Sequence, residues 1–292
     1  MELELTDGGI ETTLVYREGF DLPCFAAFPL LNEPRGRGAF RRYFDPFLEL
    51  ADARGLGFVL DTVTWRANPE WGARLGYDAR RLAAANRRAV EFASSIAASG
   101  DRVLVNGVVG PRGDGYVVAE RMSADEAADY HAFQITELCA AGAERITALT
   151  LTYPDEAIGI VHAATAAGLP VVISFTVETD GRLPDGTPIG LAIQQVDLAT
   201  ASAAEFFMLN CAHPSHIARG LDGSLDRVGG LRVNASALSH AELDEAVELD
   251  AGDPAALASD NAALRSWLPS VRLLGGCCGT DHRHVTEILA AW

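Results

Sequence analysis

The feature that most limits what this chain can fold into is a rhythm. Short apolar runs of β-like character alternate eight times with longer, alanine-rich stretches of helical character. The β-like runs are LELTD (3–7), GFVLDTV (57–63), RVLVNGVVG (102–110), RITALTLT (145–152), PVVISFTV (170–177), EFFMLNC (205–211), VGGLRVN (228–234) and SVRLLGG (270–276). Helices are expected near 38–54, 78–99, 123–141, 154–167, 189–203, 213–220, 239–265 and 281–291. Two of them open with Ser-x-x-Glu, Ser123 to Glu126 and Ser239 to Glu242, the pattern of a capping box. Pro154 suits the first turn of its helix, where no N–H is needed. Eight such alternations in 292 residues predict an α/β fold, a (β/α)8 TIM barrel, as one domain over 1–292. A doubly wound sheet is the alternative, but no glycine-rich dinucleotide fingerprint follows the first run.

In a barrel the C-terminal ends of all strands share one face, and active sites are built there. Asp7, Asp61, Asn106, Thr152, Thr176, Asn210, Cys211, Asn234, Cys277 and Cys278 all fall at or just past predicted strand ends. Strand ends are polar in any protein because loops begin there. That explains the carboxylates and amides, but not three cysteines gathered at the ends of runs six and eight.

Composition narrows the chemistry. The formal net charge is −17, which repels phosphate backbones and anionic lipid, so neither nucleic acid nor a membrane is an expected partner. All 23 basic residues are arginine. Without lysine there is no lysine Schiff base, no lysine-anchored pyridoxal phosphate and no P-loop lysine. No apolar run approaches the roughly 18 residues of a membrane span, and the acidic start MELELTDGG has no signal-peptide pattern. With five cysteines, an odd number, the expectation is a cytoplasmic protein with reduced thiols.

Cys277 and Cys278 are adjacent, between Gly275, Gly276 and Gly279. Neighbouring side chains on a regular strand point apart, so the glycines signal a sharp bend. The residues by themselves leave three readings: a strained vicinal disulfide, a redox pair, or two ligands of one metal ion. Cys211, in MLNCAHP, would complete a three-thiolate zinc site with its fourth position open, as catalytic zinc requires. His213, His216, His282 and His284 are further candidate ligands, each in a predicted helix. Cys24 and Cys139 read as small packing residues.

Five segments carry a resemblance: DGGIETTL (7–14), VVGPRGDGY (108–116), VISFTVETDGRLPDGTPI (172–189), NCAHP (210–214) and GGCCGT (275–280). With these the chain resembles the homocysteine S-methyltransferase family nearly end to end. The last two segments together are the most specific. The resemblance implies a (β/α)8 barrel and a Zn2+ site formed by Cys211, Cys277 and Cys278. It also implies two small-molecule partners, a thiol such as homocysteine and a methyl donor. Zinc deprotonates a bound thiol outright. The excess negative charge of such a centre suits a cationic donor, a sulfonium or a quaternary ammonium. Aromatic faces stabilise such a cation; Tyr16, Phe28, Trp65 and Phe175 are the candidates, with Trp65 favoured by its place in the loop after run two.

The resemblance further implies that the Asp7-Gly8-Gly9 loop holds the amino acid end of the thiol, its carboxylate meeting backbone N–H groups. Asn210 belongs to the same face. Two departures stand out. Family members usually carry a Glu-Thr pair at the end of strand four, and the Glu receives the substrate amine; here Leu151 and Thr152 occupy those places. The loop after strand two usually reads like TNTF and here reads DTVTW. A buried amine left unpaired costs at least a few kcal/mol. Either another carboxylate, with Asp61 the nearest candidate, has taken over, or the thiol lacks a free α-amine. Related thiols, the demethylase direction and zinc or thiol binding without turnover are the alternatives for function.

Overall fold

Side chains alternate between the two faces of a strand, and here the alternation sorts residues into two environments. The computed structural model describes residues 2–98, 100, 102–118, 120–223, 225–246 and 248–292. Residue 1 of the expected domain, residue 99 of the helix expected over 78–99 and residue 247 of that expected over 239–265 lie outside the described residues. Eight strands follow in chain order: β1 (Glu4–Leu5), β2 (Gly57–Asp61), β3 (Val103–Val109), β4 (Arg145–Leu151), β5 (Val171–Phe175), β6 (Phe207–Asn210), β7 (Val228–Val233) and β8 (Leu273–Gly276). Each pairs in parallel with the next, and β8 pairs with β1, so the sheet closes into a barrel.

Phe58 and Leu60 of β2, Ile173 and Phe175 of β5, and Phe207 and Leu209 of β6 face the surrounding helices and join the main hydrophobic core. The residues between them, Val59, Val172 and Met208, form a separate apolar cluster with Leu273 inside the barrel. Two residues further along each strand, the same inward face presents Asp61, Ser174, Asn210 and Gly275. Asn106 and Arg232, on β3 and β7, are buried at this level too. The barrel is therefore filled by an apolar layer below and a polar layer above, toward the strand C-termini.

The long helix expected over 239–265 is instead two, His240–Asp244 and Pro254–Ala263. Gly252 lies at φ 53, and the Asp253 side chain accepts from Ala256 N at 2.7 Å as the cap of a helix with Pro254 in its first turn. Both Ser-x-x-Glu capping boxes are formed. Among the described residues no helix is long and apolar enough to cross a membrane.

One seam depends on a missing side chain. A Cβ on Gly275 would lie 2.5 Å from Thr6 Cγ2 and 2.8 Å from the Asp7 carbonyl oxygen, where β8 closes on β1. Gly275→Val therefore overpacks the closure and should cost about 1–3 kcal/mol. The expected observation is a lower urea midpoint with an unchanged m value.

Candidate active site

The two cysteine-bearing strand ends bend in different ways. Cys211 follows β6 in the left-handed region, φ 56, which non-glycine residues adopt only under constraint. Its N–H donates to the Arg232 carbonyl at 3.0 Å and its carbonyl accepts from His240 Nε2 at 2.7 Å. After β8 the chain makes a β-turn over Cys277–Thr280, with Thr280 N donating to the Cys277 carbonyl at 3.1 Å. Gly279, at φ 79, takes the third position, where the type II turn needs positive φ. The strand has ended, so strand alternation no longer applies, and both adjacent thiols turn toward Cys211. The three sulfurs lie within 4.8 Å of one another, with Cys211 Sγ 3.6 Å from Cys278 Sγ. All five cysteines are free.

Hydrogen bonds from the Cys277 and Cys278 thiols pull the Cys211 pKa well below its ordinary range. Correspondingly, Cys277 is pushed up to about 12 and Cys278 upward as well. None of the candidate histidines joins the cysteine trio. His213 caps the helix Pro214–Arg219, His216 bonds the Ala237 carbonyl, His284 bonds Asp281 and the Ala251 carbonyl, and His282 packs on Phe47.

Tyr116, from the loop after β3, reaches over the trio. Its hydroxyl is 3.0 Å from Cys211 Sγ and 4.0 Å from Cys278 Sγ, and its ring stacks on His240 at 4.1 Å. Burial, then the neighbouring Cys211, raises its pKa. His240 lies between two acceptors, Glu178 Oε1 at 2.9 Å from Nδ1 and the Cys211 carbonyl at Nε2. Satisfying both requires both ring nitrogens to be protonated. Burial opposes the charge, but these two bonds more than offset it and raise the His240 pKa.

Beside the trio is a small cavity of about 60 Å³, lined by Asp7, Gly8, Gly9, Glu11, Asp61, Trp65, Tyr116, Asn210, Arg232 and the three cysteines, among others. Arg232 organises it. Its guanidinium pairs with both Asp7 and Asp61, and its Nε donates to the Gly276 carbonyl at 3.1 Å. Asp61 also accepts from Asn106 Nδ2 at 2.6 Å, and Asp7 from the Tyr43 hydroxyl at 3.1 Å. Burial disfavours the Arg232 charge, but the two carboxylates override it and hold the guanidinium protonated. A second cavity of about 510 Å³ shares Thr12, Phe25, Trp65, Tyr116 and Cys278 with the first. Its wall adds Tyr16, Trp71, Asp114, Glu248 and Asp250. Asn234 lines it too, with a buried carbonyl oxygen that has no hydrogen-bond partner.

Residues 4–292 match the family model described as homocysteine S-methyltransferase. The chain belongs to the homocysteine S-methyltransferase family. It is thus a thiol S-methyltransferase. The fold agrees with solved structures of the homocysteine methyltransferase MmuM from Escherichia coli. The metallated form is 22% identical, with a TM-score of 0.74 over 100% of this chain and 97% of that one. The oxidised form is 22% identical, with a TM-score of 0.76 over 100% and 96%. No curated protein sequence matches the chain.

Against the expectations drawn from this family, the cavity gathers Asp7, Gly8, Gly9, Asp61, Trp65, Asn210, Cys211, Cys277 and Cys278 on one face. Leu151 and Thr152 are buried and line neither cavity. The cause is a bulge in β4. Thr150 sits at φ 63, the register with β5 shifts between Ala148 and Leu151, and Leu151 turns to the helix side beside Phe175. Leu149 and Thr150 line the cavity instead, and the Asn210 side chain binds Thr150 N and Oγ1, each at 2.9 Å. Asn210 also accepts from Ser174 Oγ at 2.6 Å.

The Gly8 and Gly9 N–H groups already donate to the Tyr43 hydroxyl and the Thr280 carbonyl, each at 3.1 Å. A substrate carboxylate would have to displace those partners. A Cβ on Gly9 would meet the Cys277 carbonyl at 2.5 Å, and one on Gly8 the Thr280 carbonyl at 2.8 Å, so both glycines let this loop press against the cysteine turn. Phe28 and Phe175 are core residues, whereas Tyr16 lines the larger cavity. The Trp65 ring is covered by the Arg66 guanidinium at 4.0 Å, which also lies 3.9 Å over Trp71. Tyr116, Arg232, His240 and Glu11 were not singled out in the sequence. Tyr116 and Glu11 each carried a signal, as the last residue of VVGPRGDGY and the fifth of DGGIETTL.

Two outcomes follow. Arg232→Met strands Asp7 and Asp61 as unpaired buried carboxylates, and urea unfolding should show a loss of about 3–5 kcal/mol. Burial also pushes the Glu11 carboxyl from 4.5 up to about 7. Between those pH values the folded chain holds a proton that the unfolded chain releases, so this group's contribution to stability falls as pH rises through that window. In metal-free protein, Glu11→Gln should therefore gain stability over the parent chain at pH 8 compared with pH 5.

Proposed function

We propose that this chain is a zinc-dependent enzyme that moves a methyl group from a cationic donor to the thiol of homocysteine or a related compound. The convergence of Cys211, Cys277 and Cys278 beside two connected cavities carries this reading. Tetrahedral zinc at about 2.3 Å from each sulfur needs sulfurs about 3.8 Å apart. The Cys211–Cys278 separation of 3.6 Å is in keeping with that, and a three-thiolate donor set suits zinc. Cys211, Cys277 and Cys278 would hold the ion. Zinc would supply the Lewis acidity that keeps a substrate thiol deprotonated at neutral pH.

The chain's own residues divide the remaining work. The small cavity, with Asp7, Gly8, Gly9, Asp61, Trp65 and Asn210, takes the thiol. Leu151 and Thr152 contribute only through the shape of the β4 end. The larger cavity takes the donor, and its carboxylates, Asp21, Asp114, Glu248 and Asp250, favour positive charge there. Where the cavities meet, beside Tyr116 and Cys278, the thiolate sulfur forms a bond to the donor methyl carbon. The electron pair of the breaking bond returns to the donor sulfur or nitrogen and neutralises its charge. Walls of low polarity favour this loss of charge. With homocysteine the product is methionine. The reaction belongs to one barrel domain over 1–292, and the free thiols suit a reducing, cytoplasmic setting.

The test incubates zinc-loaded protein with homocysteine and either a sulfonium or a quaternary ammonium donor bearing a deuterated methyl group. Mass spectrometry then follows the labelled thioether. Losing a group that merely supports a metal ligand costs 10–100-fold, so Cys278→Ala, which removes a ligand, should lose more than about a hundredfold and bind less zinc while remaining folded. Full activity in that variant would end the assignment.

A further inference from the structure

Of the carboxylates lining the small cavity beside the cysteine trio, Glu11 is the one without a side-chain partner among the described residues. Asp7 and Asp61 are both paired with Arg232, and each takes a further hydrogen bond, from Tyr43 and Asn106 respectively. The hydrogen bonds of Arg232 go to Asp61, Asp7 and the Gly8 and Gly276 carbonyls, and none reaches Glu11. Arg66, on the wall of the larger cavity, donates to the Gly113 carbonyl at 2.8 Å and lies between the Trp65 and Trp71 rings. Among the described residues no side chain hydrogen-bonds or ion-pairs with Glu11; burial raises its pKa most, Cys277 and Asp7 raise it further, and Arg232 lowers it.

A carboxylate held this way, partly shielded from water and without a cationic partner, is unfavourable as an anion unless it takes up a proton or a ligand brings a cation to it. The position is enforced by the backbone. Glu11 stands in the first turn of the helix Ile10–Tyr16, directly after the loop that Gly8 and Gly9 press against the cysteine turn. A group bound at the trio and a group bound at Glu11 therefore occupy the same small cavity.

We propose that Glu11 is a specificity-determining residue that receives the ammonium group of an amino thiol whose sulfur is held at the cysteine trio. The proposal rests on the reading of the small cavity as the thiol site. An ammonium can donate several hydrogen bonds to a carboxylate, whereas a sulfonium or quaternary ammonium centre has no N–H to offer. Glu11 lines the small cavity and not the larger one, which places it with the amine of the acceptor. It also answers the choice left by Leu151: a carboxylate is present, supplied by the helix Ile10–Tyr16, and Asp61 is held by Arg232.

The test compares homocysteine with 4-mercaptobutyrate, the same thiol without its amine, in the parent chain, Glu11→Gln and Glu11→Asp. Thiol binding is followed without any methyl donor, through the sulfur-to-metal absorption band of cobalt-substituted protein at pH 8. The parent chain should prefer homocysteine by at least tenfold, about 1.4 kcal/mol. Glu11→Gln should lose most of that preference by weakening homocysteine alone, and Glu11→Asp should keep part of it. Equal preference in the parent chain and Glu11→Gln, with both folded and cobalt-loaded, overturns the proposal. Absence of methyl transfer with every donor, while the binding preference follows Glu11, would instead count against the methyltransferase reading and leave the role of Glu11 standing. Absence of any thiol-dependent band would overturn both.

Discussion

Arg232 is the interaction on which the rest of the site depends. A guanidinium has five donors in a fixed plane, and here they join β7 to the loop after β1, to the end of β2 and to the end of β8. Two carboxylates share one guanidinium, and every carboxylate oxygen has a donor close by. A buried cluster of this kind adds little net stability compared with an apolar replacement of equal volume. Its effect is on geometry. With Arg232 in place, the Asp7 loop, the β2 end and the glycine-rich end of β8 have one arrangement relative to each other, and the cysteine turn starts from there.

The cysteine trio inherits that order and adds its own constraints. Cys211 adopts a left-handed backbone at a strand end, and the surroundings that enforce it are visible. Its N–H is tied to β7 and its carbonyl to His240, which is in turn anchored by Glu178. Strain of roughly 1–3 kcal/mol at one residue is tolerable only when neighbours over-determine the conformation in this way. The same His240 supports the Tyr116 ring, whose hydroxyl touches Cys211. Backbone, imidazole and phenol thus form one assembly around the sulfurs, placed where the small and large cavities meet.

Charge explains much of what surrounds the site. The chain carries a net charge of −17, yet the mouth places arginines where they do specific work: Arg232 against two aspartates and Arg66 between two tryptophans. Arg66 covers the very ring face that looked suited to a donor cation. The remaining unbalanced charge is negative, at Glu11 in one cavity and at the acidic rim of the other. Both are suited to positively charged small molecules.

What the sequence by itself determined was the part governed by local periodicity and rare residue types. Eight apolar runs separated by helical stretches imply a parallel barrel, because parallel strands need helical crossovers. Three cysteines at strand ends, two of them flanked by glycines, mark the chemical centre, because cysteine is scarce and glycine permits the bend. Tertiary structure decided the rest. The single expected helix over 239–265 breaks because Asp253 and Pro254 begin a new one. Leu151 leaves the mouth because a bulge at Thr150 changes which face of β4 it occupies, a shift that no linear alignment of strand ends registers. Asp61 is consumed by Arg232, a residue 171 positions away, while Glu11 is left without a side-chain partner among the described residues. Whether a carboxylate is neutralised or available depends on which distant side chains the fold brings within hydrogen-bond reach, and that pairing exists only once the barrel has closed.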